Sequence, residues 1–256
     1  MISILITHYN RPEALAACLK AIKDAQLDFE YEIVVSDDGS SQESHNIINN
    51  LLIDRLVLAN ENQGLASNLN KGIKACTGKY ILYVQEDFVM IPEFNNVLQE
   101  GIDLLDSKTL DMVRYRANYT FKHLLPCSKN ILKIPRFSFH NFNINTFQYS
   151  DHPFITTHSF YDTYGYYLEN TTVGYGETEY AIRILNSKAK IGITRKNYFN
   201  NVENAVSTVY VNPKKIDFRN FKKIRRFARA LRQHLEWLLY SPNNRKLYTY
   251  KNKRTV

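Results

Sequence analysis

Ser36-Asp37-Asp38-Gly39-Ser40 and Val84-Gln85-Glu86-Asp87 are short acidic stretches, each standing at the end of an apolar, β-like run. Tyr31–Val35 and Lys79–Val84 read as buried strands, and an open α/β sheet binds ligands beyond the carboxyl ends of its parallel strands. Carboxylates gathered there repel one another unless something positive sits between them. A divalent cation holding an anionic ligand meets that need, because hard cations take oxygen ligands and keep substrate phosphates in their coordination shell.

The elements that would position these acids alternate strand and helix over the first 116 residues. Ile2–Thr7 is a short β-rich run, Pro12 suits a first helical turn, and Leu15, Cys18, Leu19 and Ile22 follow at helical spacing. After the strand at Tyr31–Val35, Ser41 is an N-cap for a helix carrying Ile47, Ile48, Leu51 and Leu52. Leu56–Leu58 is a third strand, Gly64–Ala75 a third helix, Gly78 a stop and Lys79–Val84 a fourth strand. Pro92 opens a helix running to Leu105, and Met112–Tyr115 closes the series. Repeated βα units predict a doubly wound, mostly parallel α/β sheet with right-handed crossovers.

With 256 residues, 44% of them hydrophobic, the chain can bury a sizeable core. No stretch approaches the roughly 20 apolar residues of a membrane span. The start lacks a basic n-region and meets Tyr9-Asn10-Arg11-Pro12 early, so the N-terminus is expected to be structural and not a signal peptide. Three cysteines, Cys18, Cys76 and Cys127, without a CxxC pair, fit a reduced cytosolic protein in which they serve as packing residues. The net charge of +8 is uneven: from Pro213 onward fourteen basic residues face two acidic ones, a local +12, which leaves −4 for residues 1–212. An acidic body with a basic tail is not the pattern of a uniformly basic nucleic-acid binder.

Between Asn118 and about Thr172 the periodicity breaks down and aromatics crowd in, among them Tyr119, Phe121, Phe137, Phe139, Phe142, Phe147, Tyr149, Phe154 and Tyr167. The segment reads either as an irregular second half of the core or as a sugar-facing wall, since aromatic rings pack on the apolar faces of sugars.

Six blocks, in order, resemble glycosyltransferase family 2, whose members have the nucleotide-sugar transferase fold called GT-A. They are Ile4–Arg11, Val34–Ser40, Asn62-Gln63-Gly64, Asn70–Ile73, Thr77–Asp87 and Gly176–Arg183. The resemblance covers roughly residues 1–200. It implies that Thr7, Tyr9 and Arg11 hold the nucleotide, with Tyr9 stacking on a base and Arg11 pairing with phosphate. It implies that Asp37 accepts the N3–H of uracil and that Asp38, Asn62, Gly64, Asn70 and Glu86 border the nucleotide. Asp38-Gly39 is equally an ordinary turn, and Asn62, Gly64 and Asn70 equally turn and capping residues. Asp87 holds the position of the acid that ligates Mn²⁺ or Mg²⁺, while Gln85 stands where a first carboxylate is common. Glu177 falls at the position of the general base and Glu179 is a second candidate, although acids near a helix start also favour its dipole.

The implied organisation is a GT-A domain over residues 1–212, with a nucleotide-binding half at 1–116 and an acceptor half at 117–212, followed by a basic helical extension at 213–256. In that extension Phe221, Ile224, Ala228, Leu231, Leu235 and Leu238 form an apolar seam flanked by Lys222, Lys223, Arg225, Arg226, Arg229 and Arg232. Such a helix docks on an anionic cytoplasmic membrane face, packs on the body or another subunit as an oligomer contact, or touches RNA. The expected activity is inverting transfer from a nucleotide-sugar donor, a UDP-sugar by preference, to a glycan or lipid-linked acceptor of a bacterial capsule or lipopolysaccharide. The location that goes with it is the cytoplasm or the inner membrane face. The rivals are a catalytically silent scaffold of the same fold and a sugar-nucleotide nucleotidyltransferase; the latter wants a Gly-rich N-terminal loop, which Thr7–Arg11 is not.

Overall fold

The computed structural model describes residues 1–202 and 222–252. Lys214, Lys215, Asp217, Arg219, Lys253, Arg254 and the seam residue Phe221 lie outside the described residues, as does the start of the basic helical extension expected at 213–256.

Strands β1 (Ile2–His8), β2 (Tyr31–Asp37), β3 (Arg55–Leu58) and β4 (Tyr80–Gln85) alternate with helices α1 (Pro12–Asp24), α2 (Gln42–Ile48) and α3 (Leu65–Ala75). Beyond them come β5 (Phe88–Met90), α4 (Phe94–Asp106), β6 (Met112–Arg114), β7 (Leu125–Pro126) and β8 (Ile131–Lys133). A 3₁₀ segment (Phe139–Phe147), β9 (Phe154–Thr157), α5 (His158–Tyr164), α6 (Val173–Ser187), β10 (Ile191–Thr194), β11 (Phe199–Asn201) and α7 (Lys222–Leu239) complete the order.

Nine strands form one sheet in the order β3-β2-β1-β4-β9-β6-β10-β8-β7. β1 pairs in parallel with β2 and β4, and β2 with β3. β9 is antiparallel to both β4 and β6, so β6 and its parallel partner β10 run the same way as β4. Within this sheet only β9 and β8 run against the rest, and the α/β, mostly parallel expectation holds. Residues on both sides of position 116 contribute strands to it.

Side-chain alternation along the strands separates two cores. Ile2, Ile4, Ile6, Leu82 and Val84 face one side with Leu15 and Ile22 of α1 and Phe94 and Leu98 of α4. Leu5, Ile81 and Tyr83 face the other with Leu69 and Ile73 of α3 and Tyr180 and Ile184 of α6. Helices on both faces explain why every residue of β1 is buried.

Two local expectations are corrected. The helix capped by Ser41 stops at Ile48, leaving Leu51 and Leu52 beyond it, because Asn49 and Asn50 follow and the Asn50 side chain turns back to donate to the Asn46 carbonyl at 2.8 Å. The stretch 118–172 is more regular than its sequence pattern predicts, since it supplies β7, β8, β9 and α5. Six of its thirteen Phe and Tyr rings are core: Phe121, Tyr149, Phe154, Phe160, Tyr161 and Tyr167 are buried in the second cluster.

Candidate active site

The carboxyl ends of β1, β2 and β4 lie level, with His8 opposite Asp37 and Thr7 opposite Gln85. Beyond them opens a cleft of about 400 Å³. One wall is Thr7, His8, Tyr9 and Arg11 from the end of β1 and its loop, Asp38 from that of β2, and Gln85, Glu86 and Asp87 from that of β4. Asn62, Gly64 and Asn68 close the side beneath α3, and Asp151, His152 and Glu177, from the turn before β9 and from α6, line the same cleft.

The two acids of the second block do different work. Asp37 is fully buried and absent from the cleft lining. Its Oδ2 accepts from His8 Nδ1 at 2.7 Å, and its Oδ1 accepts from His45 Nε2 at 3.0 Å and the Ser40 backbone N–H at 2.9 Å. His8 Nε2 in turn accepts the Arg11 N–H at 3.0 Å, which leaves the proton on Nδ1. Burial alone would raise the Asp37 pKa, but the bonds from His8, His45 and Ser40 outweigh it and hold the carboxyl well below its usual range. Asp37 thus ties the loop after β1 to the loop after β2 and, against the expectation that it meets the base, is not among the residues lining the cleft. Asp38 is the acid on the cleft. It accepts the N–H groups of Gln63 at 3.0 Å and Gly64 at 2.9 Å. Gly39 (φ +72°) and Gly64 (φ +91°) permit this meeting of loops; a Cβ on Gly39 would lie 2.4 Å from the Glu61 carbonyl carbon.

Arg11 reaches across to the fourth-strand acids, with its Nη1 3.4 Å from Glu86 Oε1 and 3.3 Å from Asp87 Oδ2. Glu86 is pushed up to about 7, by burial first, with Arg11 lowering it and Asp87 raising it. Asp87 Oδ1 is buried and has no hydrogen-bond partner among the described residues.

Glu177 and Asp151 face each other's field from α6 and from the turn before β9. Glu177 is shifted upward by the negative charge of Asp151, then by burial, against the pull of Arg114. Asp151 is shifted upward by burial, against the Tyr149 hydroxyl, which donates to its Oδ1 at 2.6 Å, and Arg114. Arg114 is wholly buried at the end of β6. It donates to the carbonyls of Phe147 at 2.7 Å and Gln148 at 3.1 Å and to Ser150 Oγ, fixing the turn that carries Asp151.

Two named candidates stand away from the cleft. Glu179, fully buried, accepts from the Tyr240 hydroxyl at 2.6 Å, Arg245 Nε at 3.2 Å and Arg183 Nη2 at 3.3 Å. It anchors the C-terminal residues onto α6, since two helical steps turn it away from the face of Glu177. Asn70 donates to the Tyr167 carbonyl at 3.0 Å and accepts its N–H at 2.9 Å, holding that loop, while Asn68 takes the place on the cleft.

A family model described as "Glycosyl transferase family 2" matches residues 3–168. The chain belongs to glycosyl transferase family 2. Among family-2 relatives, "Putative glycosyltransferase EpsH" of Bacillus subtilis is 31% identical over 96 residues, 36% of this chain and 28% of that protein. The "GalNAc(5)-diNAcBac-PP-undecaprenol beta-1,3-glucosyltransferase" of Campylobacter jejuni is 28% identical over 91 residues, 34% of this chain and 29% of that protein. The matched stretch thus spans less than a third of either relative. Of the solved structures, residues 1–349 of S. aureus TarS in complex with UDP-GlcNAc align with a TM-score of 0.61 at 17% identity, covering 95% of this chain and 74% of that one. That likeness establishes the GT-A architecture.

The family's divalent cation can be tested against the donor set. Among the described residues no group of three or more His, Cys, Asp or Glu is arranged to hold a metal. The buried, unpartnered Oδ1 of Asp87 suits a cation that takes one protein carboxylate and completes its shell with substrate phosphates and water. A dedicated protein cage does not fit.

Asp151, Arg114, His8 and Asn68 were not singled out by sequence. Asp151 carried a signal: it is the sole acidic or basic residue, histidines aside, between Arg136 and Asp162. None of the Phe or Tyr rings from Tyr119 to Tyr167 lines the main cleft; Tyr167 borders an adjoining recess that shares Asp151 and Glu177. Cys18 and Cys76 are buried and Cys127 partly so, all three free, and burial pushes Cys76 up to about 12.

Proposed function

We propose that the chain transfers a sugar from a UDP-sugar to a hydroxyl of a glycan or lipid-linked glycan, with inversion, during bacterial surface polysaccharide assembly at the cytoplasmic face of the membrane. One cleft that gathers two unlike groups carries this proposal: Arg11, Asp38, Glu86 and Asp87 from the strand-end loops, and the Asp151–Glu177 pair. The undecaprenol-linked acceptor in the name of the Campylobacter relative supports the acceptor class, and the UDP-GlcNAc bound by TarS supports the donor class.

Toward the donor, Tyr9 stacks on the uracil and Asp38, whose oxygens each keep a free lone pair, accepts its N3–H. Thr7, Asn62 and Gly64 border the nucleoside. Arg11 turns its fork from Asp87 to the diphosphate. When bound at Asp87, a divalent cation neutralises charge on the leaving diphosphate. Toward the acceptor, Glu177 takes the hydroxyl proton as the oxygen bonds to the anomeric carbon and the bond to the diphosphate breaks, its electrons leaving with UDP. A base and a leaving group on opposite faces of the anomeric carbon make a single displacement, which inverts the anomeric centre. Asp151 tunes the base, because two neighbouring carboxylates do not ionise together at low cost.

Thermal shift and donor hydrolysis with a panel of UDP-sugars, with and without Mn²⁺, test the proposal. A donor at 100 times its Kd should stabilise the fold by about 2.7 kcal/mol. If no UDP-sugar raises Tm and none is hydrolysed, the proposal fails.

A further inference from the structure

The described part of α7, 18 residues and therefore about 27 Å long, meets the body with a row that the sequence pattern did not mark. Ala230, Gln233 and Glu236 are its buried residues. Thr146 Oγ1 donates to Gln233 Oε1 at 2.9 Å, His234 stacks on Phe142 at 4.5 Å, and the Glu236 carboxylate accepts the backbone N–H groups of Tyr248 and Thr249. Trp237 and Tyr240 turn inward as well, Trp237 beneath Arg136 and Tyr240 onto Glu179.

The apolar seam is therefore left outside. Ile224, Phe227, Leu231, Leu235, Leu238 and Leu239 are exposed, Leu238 at 78%. The patch continues onto the body: Phe137 packs edge-on against Phe139 and parallel to Trp237, and Phe139 itself is 84% exposed. Along its edge Lys222, Arg225, Arg226, Arg229 and Arg232 line a hollow of about 570 Å³. A second copy of the chain would bring two such basic edges together, at a like-charge cost. An anionic bilayer complements both features, with phosphates for the basic edge and acyl chains for the leucines. No described helix is long and apolar enough to cross a membrane, and a face of this kind lies in the interface plane.

We infer that the outward face of α7, with Phe139, is a docking surface for an anionic phospholipid bilayer. Because α7 also packs on α6, the helix carrying Glu177, docking fixes the attitude of the whole catalytic domain and does not merely tether it. This extends the proposal of a lipid-linked acceptor without depending on it, since vesicle binding is read without turnover.

Flotation of the full chain with vesicles of phosphatidylcholine alone, or with phosphatidylglycerol added, decides the point. The wild type should float with the anionic vesicles in low salt and lose that partition as salt rises, each basic side chain at the surface being worth roughly fivefold. Leu231→Asp/Leu235→Asp should abolish flotation while keeping the wild-type Tm, because both side chains are exposed. Arg225→Glu/Arg232→Glu should lower partition more than tenfold. Three outcomes overturn the inference: no wild-type flotation in low salt, equal flotation on neutral and anionic vesicles, or a solution dimer that Leu231→Asp/Leu235→Asp converts to monomer.

Discussion

Asp151 comes to the same rim as Glu177 because β9 runs against its neighbours: Phe154 pairs with Tyr83, so the start of β9 lies at the carboxyl end of β4. A residue that precedes a strand thereby joins residues that follow strands. The two carboxyls share one cleft, and each raises the cost of ionising the other.

Glu177→Gln should retain donor affinity and lose transfer by roughly 10²–10⁴-fold, the usual contribution of a general base. Isothermal titration with UDP and a steady-state assay separate the two. Unchanged kcat would remove Glu177 from the chemistry.

Asp151→Asn should move the acid limb of the kcat/KM profile toward lower pH by roughly a unit, because the charge that holds Glu177 protonated is gone. The stability consequence has a definite sign. Carboxyls whose folded pKa is raised contribute stability below their unfolded pKa and lose it as pH rises through the raised value. The variant should therefore gain Tm relative to wild type at pH 8 and little at pH 5. A profile that does not move would leave Asp151 a structural residue.

Asp37→Ala and Asp38→Ala should part company. The first should destabilise by about 3–5 kcal/mol, as removal of one partner from a buried charged network does. Since the Asp37 carboxyl is held below its usual range, its contribution is present above about pH 4 and disappears as pH falls toward the lower folded value. Asp38→Ala should instead weaken UDP about tenfold, the value of one hydrogen bond. Urea melts and UDP titration distinguish them, and equal UDP loss without destabilisation in Asp37→Ala would reverse the two roles.

Tyr240→Phe removes a hydroxyl bonded to the buried carboxylate of Glu179 and should cost about 1.5–3 kcal/mol in urea unfolding. Glu179→Gln should lower stability by a similar amount and leave the pH profile of transfer in place, in contrast to Asp151→Asn. A profile displaced in Glu179→Gln would return that residue to the catalytic site.

The strand-helix alternation, the cleft at the strand ends, and the places of Thr7, Tyr9, Arg11, Asp38, Asn62, Gly64, Glu86, Asp87 and Glu177 on its lining were legible in the sequence. Local periodicity and turn chemistry suffice for the alternation and the cleft; the individual lining residues were implied by the resemblance to glycosyltransferase family 2. Which of two adjacent acids faces the cleft was not legible, because that depends on His8 and His45, 29 residues upstream and 8 downstream of Asp37. Nor was Asp151, whose place follows from the reversed sense of a strand that pattern alone does not reveal. In α7 the hydrophobic seam marked the outward face; Gln233 and Glu236 dock because partners exist for them in tertiary contact and nowhere in the local sequence.

Glu177 and Glu179 sit two positions apart on α6, one toward the cleft and one clasped by Tyr240 and Arg245. A random-mutagenesis screen for loss of transfer should therefore return two classes of variant that share a phenotype and nothing else. One will map to the cleft. The other will map to Tyr240 and Arg245, more than sixty residues downstream of Glu177, and second-site suppressors of that class should restore fold stability without altering any group that meets the donor.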